Sequence, residues 1–380
     1  MRTNTSKIYD TIVIGAGIAG CTAAYALQQA GQDILLLDRS AAPASGGSGA
    51  AGAFVSPKIG KGSPLQTLTN EAFVYAKDFY LEHFPAYFTQ SGVIRMPKDS
   101  EDAKKFPEYA QFNISKYEAI DTQQLTCYGI KETEESFLFP EAGVCDAQGM
   151  CRAIWERVCF RQLEVEGLIW STGHEAFTIQ GVGTPERLYA RHIVLATGFQ
   201  NDLLDMRYMG VRGTWGSRGD YTSALDLQVS MHKRISISKN INGVIKLGAT
   251  HNKAKEPCLV CDGRPLAALE AEAKEMVDSS DFRLKETFCG MRAGSKDYFP
   301  LVGKVINVAW MLTHHPAILK GAKPLLRHIE NLYILNGVGG RGFVFAPLMA
   351  KWLAELIVEG KEMDGRVDPD RLFLKWCRKL

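Results

Sequence analysis

The sequence has no run of 18 apolar residues, so no membrane-spanning helix is expected. It also lacks an excess of one charge. Its 44 Lys and Arg stand against 42 Asp and Glu, a formal net charge of +2. That excludes a strongly electropositive nucleic-acid binder and leaves room for a local basic patch. The nine cysteines, an odd number, lack the spacing of a disulfide framework and point to a reducing compartment. Cys258 and Cys261 form one C-x-x-C with no second pair nearby, which reads as chance rather than as a zinc or redox site. No repeat of fixed period is present. Nor is there a signal-peptide core, because three glycines break the first apolar stretch, from Thr11. A cytoplasmic protein is expected, with no membrane association and no metal.

What is there fills an ordinary globular composition, 46% apolar and 23% charged, and 380 residues exceed one typical core, so two domains are expected. The organising stretch is DTIVIGAGIAGCTAAYALQQAGQDILLLD, residues 10–38. It reads as a short β-branched strand, a glycine turn, an Ala-rich helix over 21–29, a stop at Gly31 and a second buried strand over 34–37. Gly15, Gly17 and Gly20 stand in G-x-G-x-x-G spacing. Gly15 permits the tight turn, Gly17 lets backbone N–H groups reach a pyrophosphate, and Gly20 lets helix and strand pack closely. The helix N-terminus then turns its positive end to the phosphates. Asp38 lies 18 residues past Gly20, where a carboxylate can accept ribose hydroxyls. In this context the motif predicts a dinucleotide site.

The following small-residue segment, ASGGSGAAGAF over 44–54, reads either as a flexible linker or as a backbone-rich loop lying against a bulky cofactor. Its position directly after the nucleotide unit favours the loop. Residues 63–84 show a helical apolar stripe, Leu65, Leu68, Phe73, Ala76, Phe79 and Tyr80. Between 84 and 140 the pattern loosens into short pieces such as the strand at 92–96, as expected of an inserted domain. Asp146 is a plausible N-cap for a helix over 150–159. Residues 168–179 alternate like a single strand, and an apolar strand over 193–196 ends in Thr197-Gly198, a small-residue approach to a ligand. A second insertion spans 203–281, with strands expected at 235–238 and 244–249 and a charged, solvated helix at 266–278. Lys233, Arg234, Lys239 and Lys246 read as ordinary surface charge. Finally NLYILNGVGGRGFVFA, 331–346, repeats the order strand, glycine turn and helix, with the helix expected over 348–358 after Pro347.

Together these pieces resemble the D-amino-acid oxidase/glycine oxidase superfamily of FAD enzymes. The matching parts are Gly15 to Gly20 with Asp38, the 45–51 loop, Val211-Arg212-Gly213, Arg292 with 300–303, and 337–347. ASGGSGAAGAFVSPKI, GMRAGSKDYFPLVG and LYILNGVGGRGFVFAPLMAKWLAELI are more narrowly similar to the C-terminal oxidase half of the bifunctional tRNA-modifying enzymes acting on 5-carboxymethylaminomethyl-uridine. Ser295-Lys296-Asp297-Tyr298 departs from the run usual there, and the nucleotide unit begins at residue 10, so the methylating half is expected to be missing.

The resemblance implies an α/β fold: a Rossmann-like FAD-binding domain (1–83, 141–202 and 290–380) with an inserted, mainly antiparallel-sheet α+β substrate domain (84–140 and 203–289). It implies that FAD meets Ile14, Gly15, Ala16, Gly17, Ile18, Ala19, Gly20, Asp38, Arg39, Ser45, Gly46, Ser48, Gly49, Ala196, Thr197 and Gly198. It adds Gly337, Gly339, Gly340, Arg341, Gly342 and Phe343, where a helix N-terminus would stabilise negative charge on a reduced flavin pyrimidine. The expected reaction oxidises the glycyl C–N bond of the wobble-uridine side arm to 5-aminomethyl-uridine and glyoxylate. A guanidinium matches the substrate carboxylate bidentately. Arg292 is the first candidate for that role, unless it pairs with Asp297, and Arg341 is the second, unless it braces the loop. His251, His314 and His315 receive no role. The implied partner is tRNA, with a separate methyltransferase acting next, and the entrance rim is drawn from Lys58, Lys61, Arg207, Arg212, Arg218 and Lys233. Two other readings stay open: an oxidase or dehydrogenase of free glycine, sarcosine or a D-amino acid, and a non-enzymatic flavin-binding subunit.

Overall fold

The apolar β-branched run at the N-terminus forms the strand β1, Ile8–Ile14, followed by the helix α1, Ile18–Gln29, and the strand β2, Ile34–Asp38. This computed structural model describes residues 7–200, 202–253 and 264–380. Cys258 and Cys261 lie outside the described residues. β1 pairs in parallel with β2 on one side and with Arg187–Leu195 on the other. Phe160–Gln162 extends the sheet beyond β2, and the hairpin Val165–Ser171/Ala176–Gly181 extends it antiparallel beyond Arg187–Leu195. His328–Asn336 also joins Arg187–Leu195 in parallel and carries Leu301–Ile306, completing eight strands. Period-2 alternation sends Val13, Ile34 and Leu36 to the core on one face and Ile12, Ile14, Leu35 and Leu37 to that on the other. Both faces are covered, so these strands read as continuous apolar runs.

One face carries α1, the helix α2 (Pro64–His83) and the helix Gly342–Glu359. Ser63 caps α2 by accepting the Gln66 N–H at 3.2 Å. The last helix starts at Gly342, earlier than expected, and carries Pro347 in its second turn. Pro347 has no N–H for the Phe343 carbonyl four residues back. The buried Tyr80 hydroxyl donates to that carbonyl at 2.9 Å, so the proline leaves no buried acceptor unmet.

A second sheet of nine strands, mainly antiparallel, draws on 93–95, 118–120, 136–139 and 212–294. It has its own core, including Ile94, Leu138, Tyr221, Met231, Ile245 and Leu247. The fold is thus the expected α/β class with a separate antiparallel sheet. Three local expectations are corrected. The expected strand over 168–179 is a hairpin, broken by a turn where Glu175 takes φ +47°. The helix after the Asp146 cap runs over Ala147–Trp155, because Asp146 accepts the Gly149 N–H and starts it at once. The charged helix begins at Arg264 and ends at Lys274. Among the described residues no helix is long and apolar enough to cross a membrane.

Candidate active site

Three parallel strands end side by side, at Ile14, Leu195 and Asn336, each followed by a glycine-bearing turn. Ligands of doubly wound sheets sit at this carboxyl edge. Gly15 holds φ +109°, and a Cβ there would lie 2.8 Å from the Ala196 carbonyl carbon. A Cβ on Gly20 would collide with the Gly15 carbonyl, so helix and turn touch as the spacing requires. Asn336, nearly fully buried, ties the edge together. Its Nδ2 donates to the Gly198 carbonyl at 2.8 Å and its Oδ1 accepts the Gly337 N–H at 2.7 Å. Asn336 is absent from the expected site residues, and its signal in the sequence is an amide closing an otherwise apolar strand.

Asp38 is turned back onto the glycine turn. Its Oδ2 accepts the Ala16 N–H at 2.7 Å and its Oδ1 the Ser40 N–H at 2.8 Å. Each oxygen keeps a lone pair for a ribose hydroxyl. Ser48 reaches across from the small-residue loop and accepts the Ile18 N–H at 2.9 Å, and a Cβ on Gly17 would sit 3.1 Å from its Oγ. Among the described residues the Gly17 N–H takes no partner, which leaves a donor at the positive end of α1. The loop is no loose linker. Gly47 packs against the Met291 carbonyl, and a Cβ on Gly290 would lie 2.9 Å from the Gly47 Cα. Small residues are needed where this loop crosses the strand Arg283–Gly294.

These parts line one continuous cavity of about 1590 Å³, well above the roughly 300–1,000 Å³ of a small-ligand pocket. Ile14, Gly15, Gly17, Ile18, Ala19, Asp38, Arg39, Ser45, Gly46, Ser48 and the 196–198 turn are in its wall, as are Gly337 and 339–343. Three expected contacts are not, each for a packing reason. Ala16 is fully buried and spends its N–H on Asp38, Gly20 is enclosed by the helix–strand contact, and a Cβ on Gly49 would strike the Ala44 carbonyl.

The second sheet supplies the opposite wall. Arg292 stands in register with Thr214 on the neighbouring strand, and its guanidinium lies over Gly216, where a Cβ would come within 2.7 Å of Cζ. Nη1 donates to the Thr250 carbonyl and meets His251 Nδ1, both at 3.1 Å. Burial, then the charge of Arg292, pushes the His251 pKa below its usual 6.5, favouring a neutral ring that accepts this bond. Among the described residues no carboxylate pairs with Arg292, and Nε and Nη2 keep their hydrogens for a ligand. Asp297 does not take it. Its carboxylate is held bidentately by Arg371 at 2.9 and 3.0 Å. A bridge between Gly294 and Val338 fixes the Arg292 strand to the second glycine turn.

Arg341 also faces the cavity, and burial followed by the charge of Arg95 pushes its pKa down to about 10, so it stays cationic at neutral pH. Its Nη1 donates to the Ser56 carbonyl at 3.3 Å. Of the expected rim cations, only Lys58, Arg218 and Lys233 line the cavity. Arg218 pairs with Asp220 at 3.0 Å and Lys233 with Glu132 at 2.7 Å. Lys61 pairs with Glu108 and Arg207 with Asp205, both away from the cavity wall, and Arg212 is exposed outside it. His314 stacks on Trp310, apart from the site. Arg95, Lys98 and His251 do line the cavity, although nothing in their local sequence marks them. Among the described residues no group of His, Cys, Asp and Glu could hold a metal ion.

The glycine cradle, the α1 terminus and the free lone pairs of Asp38 fit an adenine dinucleotide, and the 337–343 turn and the 45–51 loop leave room for its second ring system. The sequence profile of the family described as "FAD dependent oxidoreductase" (DAO) matches residues 10–356. The tRNA 5-methylaminomethyl-2-thiouridine biosynthesis bifunctional protein MnmC of Marinomonas sp. (strain MWYL1) is 23% identical over 98% of this chain and 60% of its own length. The protein of the same name from Magnetococcus marinus is 25% identical over 99% and 61%. The chain thus spans about three fifths of these relatives. Glycine oxidase from Geobacillus kaustophilus superposes with a TM-score of 0.76 at 16% identity, covering 94% of this chain and 96% of that one. Iminodiacetate oxidase from Chelativorans sp. BNC1 gives 0.75 at 16%, covering 94% and 98%. At such identities the likeness carries the fold alone.

Proposed function

Since the chain belongs to the DAO family of FAD-dependent oxidoreductases, we propose that it acts on 5-carboxymethylaminomethyl-uridine at the tRNA wobble position, releasing glyoxylate and leaving 5-aminomethyl-uridine. The observation that carries this reading is Arg292, whose open guanidinium edge faces the same cavity that the glycine cradle lines. Similarity along nearly this whole chain, over about three fifths of theirs, to proteins named for wobble-uridine biosynthesis supports the choice of substrate.

FAD, when bound, supplies the acceptor for a hydride leaving the glycyl carbon. Arg292 grips the carboxylate of the N–CH2–COO− arm through Nε and Nη2, fixing that carbon in place. The Thr250 carbonyl and His251 hold the guanidinium in its plane, and Gly216 leaves it room. The secondary amine must be unprotonated as hydride leaves, and no residue is needed to take a further proton from carbon. Loss of hydride converts NH–CH2 to a protonated imine, NH+=CH, whose nitrogen keeps its proton. Water adds to that imine, and the C–N bond breaks to give the primary amine and glyoxylate.

The test incubates the FAD-loaded protein with tRNA carrying the modified base and analyses nucleosides and glyoxylate by mass spectrometry. Conversion to 5-aminomethyl-uridine is expected. Oxidation of free glycine, sarcosine or a D-amino acid with the tRNA left untouched would overturn the reading in favour of a small-molecule oxidase.

A further inference from the structure

Against the wall of this cavity lies a recess of about 60 Å³, and the residues shared by the two are Ser56, Lys58, Arg95, His232 and Arg341. Three of these side chains are cationic at neutral pH, and among the described residues no acidic one lines the recess. Arg95 spends one donor on the Lys233 carbonyl at 3.2 Å and Arg341 one on the Ser56 carbonyl at 3.3 Å. Each guanidinium carries five N–H donors, so most remain. Among the described residues the Lys58 ammonium has no carboxylate or carbonyl partner. The carboxylate that acts on the Arg95 charge is Asp102, whose oxygens accept the Lys98 N–H and the Tyr109 hydroxyl, each at 3.1 Å.

Gathering like charges in a partly dry recess costs free energy that folding does not return. The strain is visible in Lys58, which burial and then Arg341, Arg95 and Lys98 push below its usual pKa. An anion with several oxygens relieves it. That anion is not the cofactor pyrophosphate, whose cradle is the Gly15–Gly20 turn at the sheet edge, whereas Val93, Arg95, Phe139 and His232 belong to the second sheet. Nor is it the carboxylate assigned to Arg292.

We infer that the Lys58, Arg95 and Arg341 recess seats a phosphate of the nucleotide that carries the modified base, so that the substrate is held at two anionic points. This rests on the tRNA reading above. Two permanent guanidinium forks suit phosphate oxygens, and the two-point grip gives register to a flexible RNA loop.

The experiment compares two substrates in the FAD-loaded enzyme: the nucleoside 5-carboxymethylaminomethyl-uridine and its 3′,5′-bisphosphate. Wild type, R95Q, R95K and K58Q are measured, with flavin occupancy checked in each. Binding of uridine 3′,5′-bisphosphate is read separately from the perturbation of the flavin absorbance. The bisphosphate should have a KM at least about tenfold below that of the nucleoside. R95Q and K58Q should each erase most of that difference and weaken uridine bisphosphate binding. R95K should keep part of it, and the nucleoside KM should stay within about twofold in all variants. Should wild type oxidise both substrates with equal KM, or the variants weaken both equally, the inference fails while the function stands. Should wild type oxidise neither and instead oxidise a small dicarboxylic amine, dependent on Arg95, the recess holds a second carboxylate and both readings fall.

Discussion

Replacing Arg292 by Ala removes the guanidinium edge that faces the cavity and leaves the cofactor cradle untouched. The side chain contributes two protein hydrogen bonds, both through Nη1, so most of its donors are free for substrate. Losing a charge-paired, hydrogen-bonded carboxylate clamp costs about 2–5 kcal/mol, which corresponds to a drop of roughly 30- to 5,000-fold in kcat/KM. Arg292→Lys keeps the charge but not the planar fork and should fall between. Gly216→Ala tests the same claim from the other side, since its Cβ would come within 2.7 Å of Cζ and Nη1 and push the guanidinium from its place. Steady-state kinetics on carboxymethylaminomethyl-uridine, with the flavin spectrum as a control for cofactor content, measures all three variants. Equal losses in Gly216→Ala and Arg292→Ala with full flavin occupancy are expected. Wild-type kcat/KM in Arg292→Ala, or a loss that tracks departure of the flavin, refutes the reasoning.

The cofactor cradle makes its own prediction: Gly20→Ala sets a methyl group against the Gly15 carbonyl, so purified protein should carry little FAD, as read from visible absorbance. Tyr80→Phe strands the Phe343 carbonyl that Pro347 leaves without an N–H and should cost about 1–3 kcal/mol in chemical denaturation, with the flavin still bound. Asp297→Asn tests the pair with Arg371. Burial alone would raise the Asp297 pKa, but hydrogen bonds from Arg371 and Ser295 outweigh it and hold it below 3.8. A depressed carboxylate stabilises the fold above its unfolded pKa and loses that contribution as pH falls through the folded value. The variant should therefore be less stable than wild type by about 1–2 kcal/mol at pH 7, a figure reduced for partial exposure, and the gap should narrow below about pH 3.8. A gap that is constant with pH argues against the ion pair.

The parts of this protein legible in its sequence are those whose physics is local. Glycines at fixed spacing, a carboxylate closing the next strand and the apolar stripe over 63–84 report conformations decided within a few residues. The nucleotide unit and the α/β class follow from them. Element edges were less legible, because a turn at Glu175 or a cap at Asp146 shifts a boundary without changing composition. Pro347 looked like a helix start, yet the helix runs through it because Tyr80, more than 260 residues away, supplies the missing donor.

The site itself divides the same way. The order of residues alone determined that a dinucleotide cradle forms at one sheet edge and that Arg292 precedes the strand leading back to it. Only the tertiary structure decided that Arg371 takes Asp297 and leaves Arg292 open, and that His251 holds Arg292 while His314 stacks on Trp310. It alone gathers Lys58, Arg95 and Arg341 around one recess. Charge pairing is a competition among side chains brought together from distant parts of the chain. Its outcome depends on distances and burial set by two packed sheets, which no local pattern encodes.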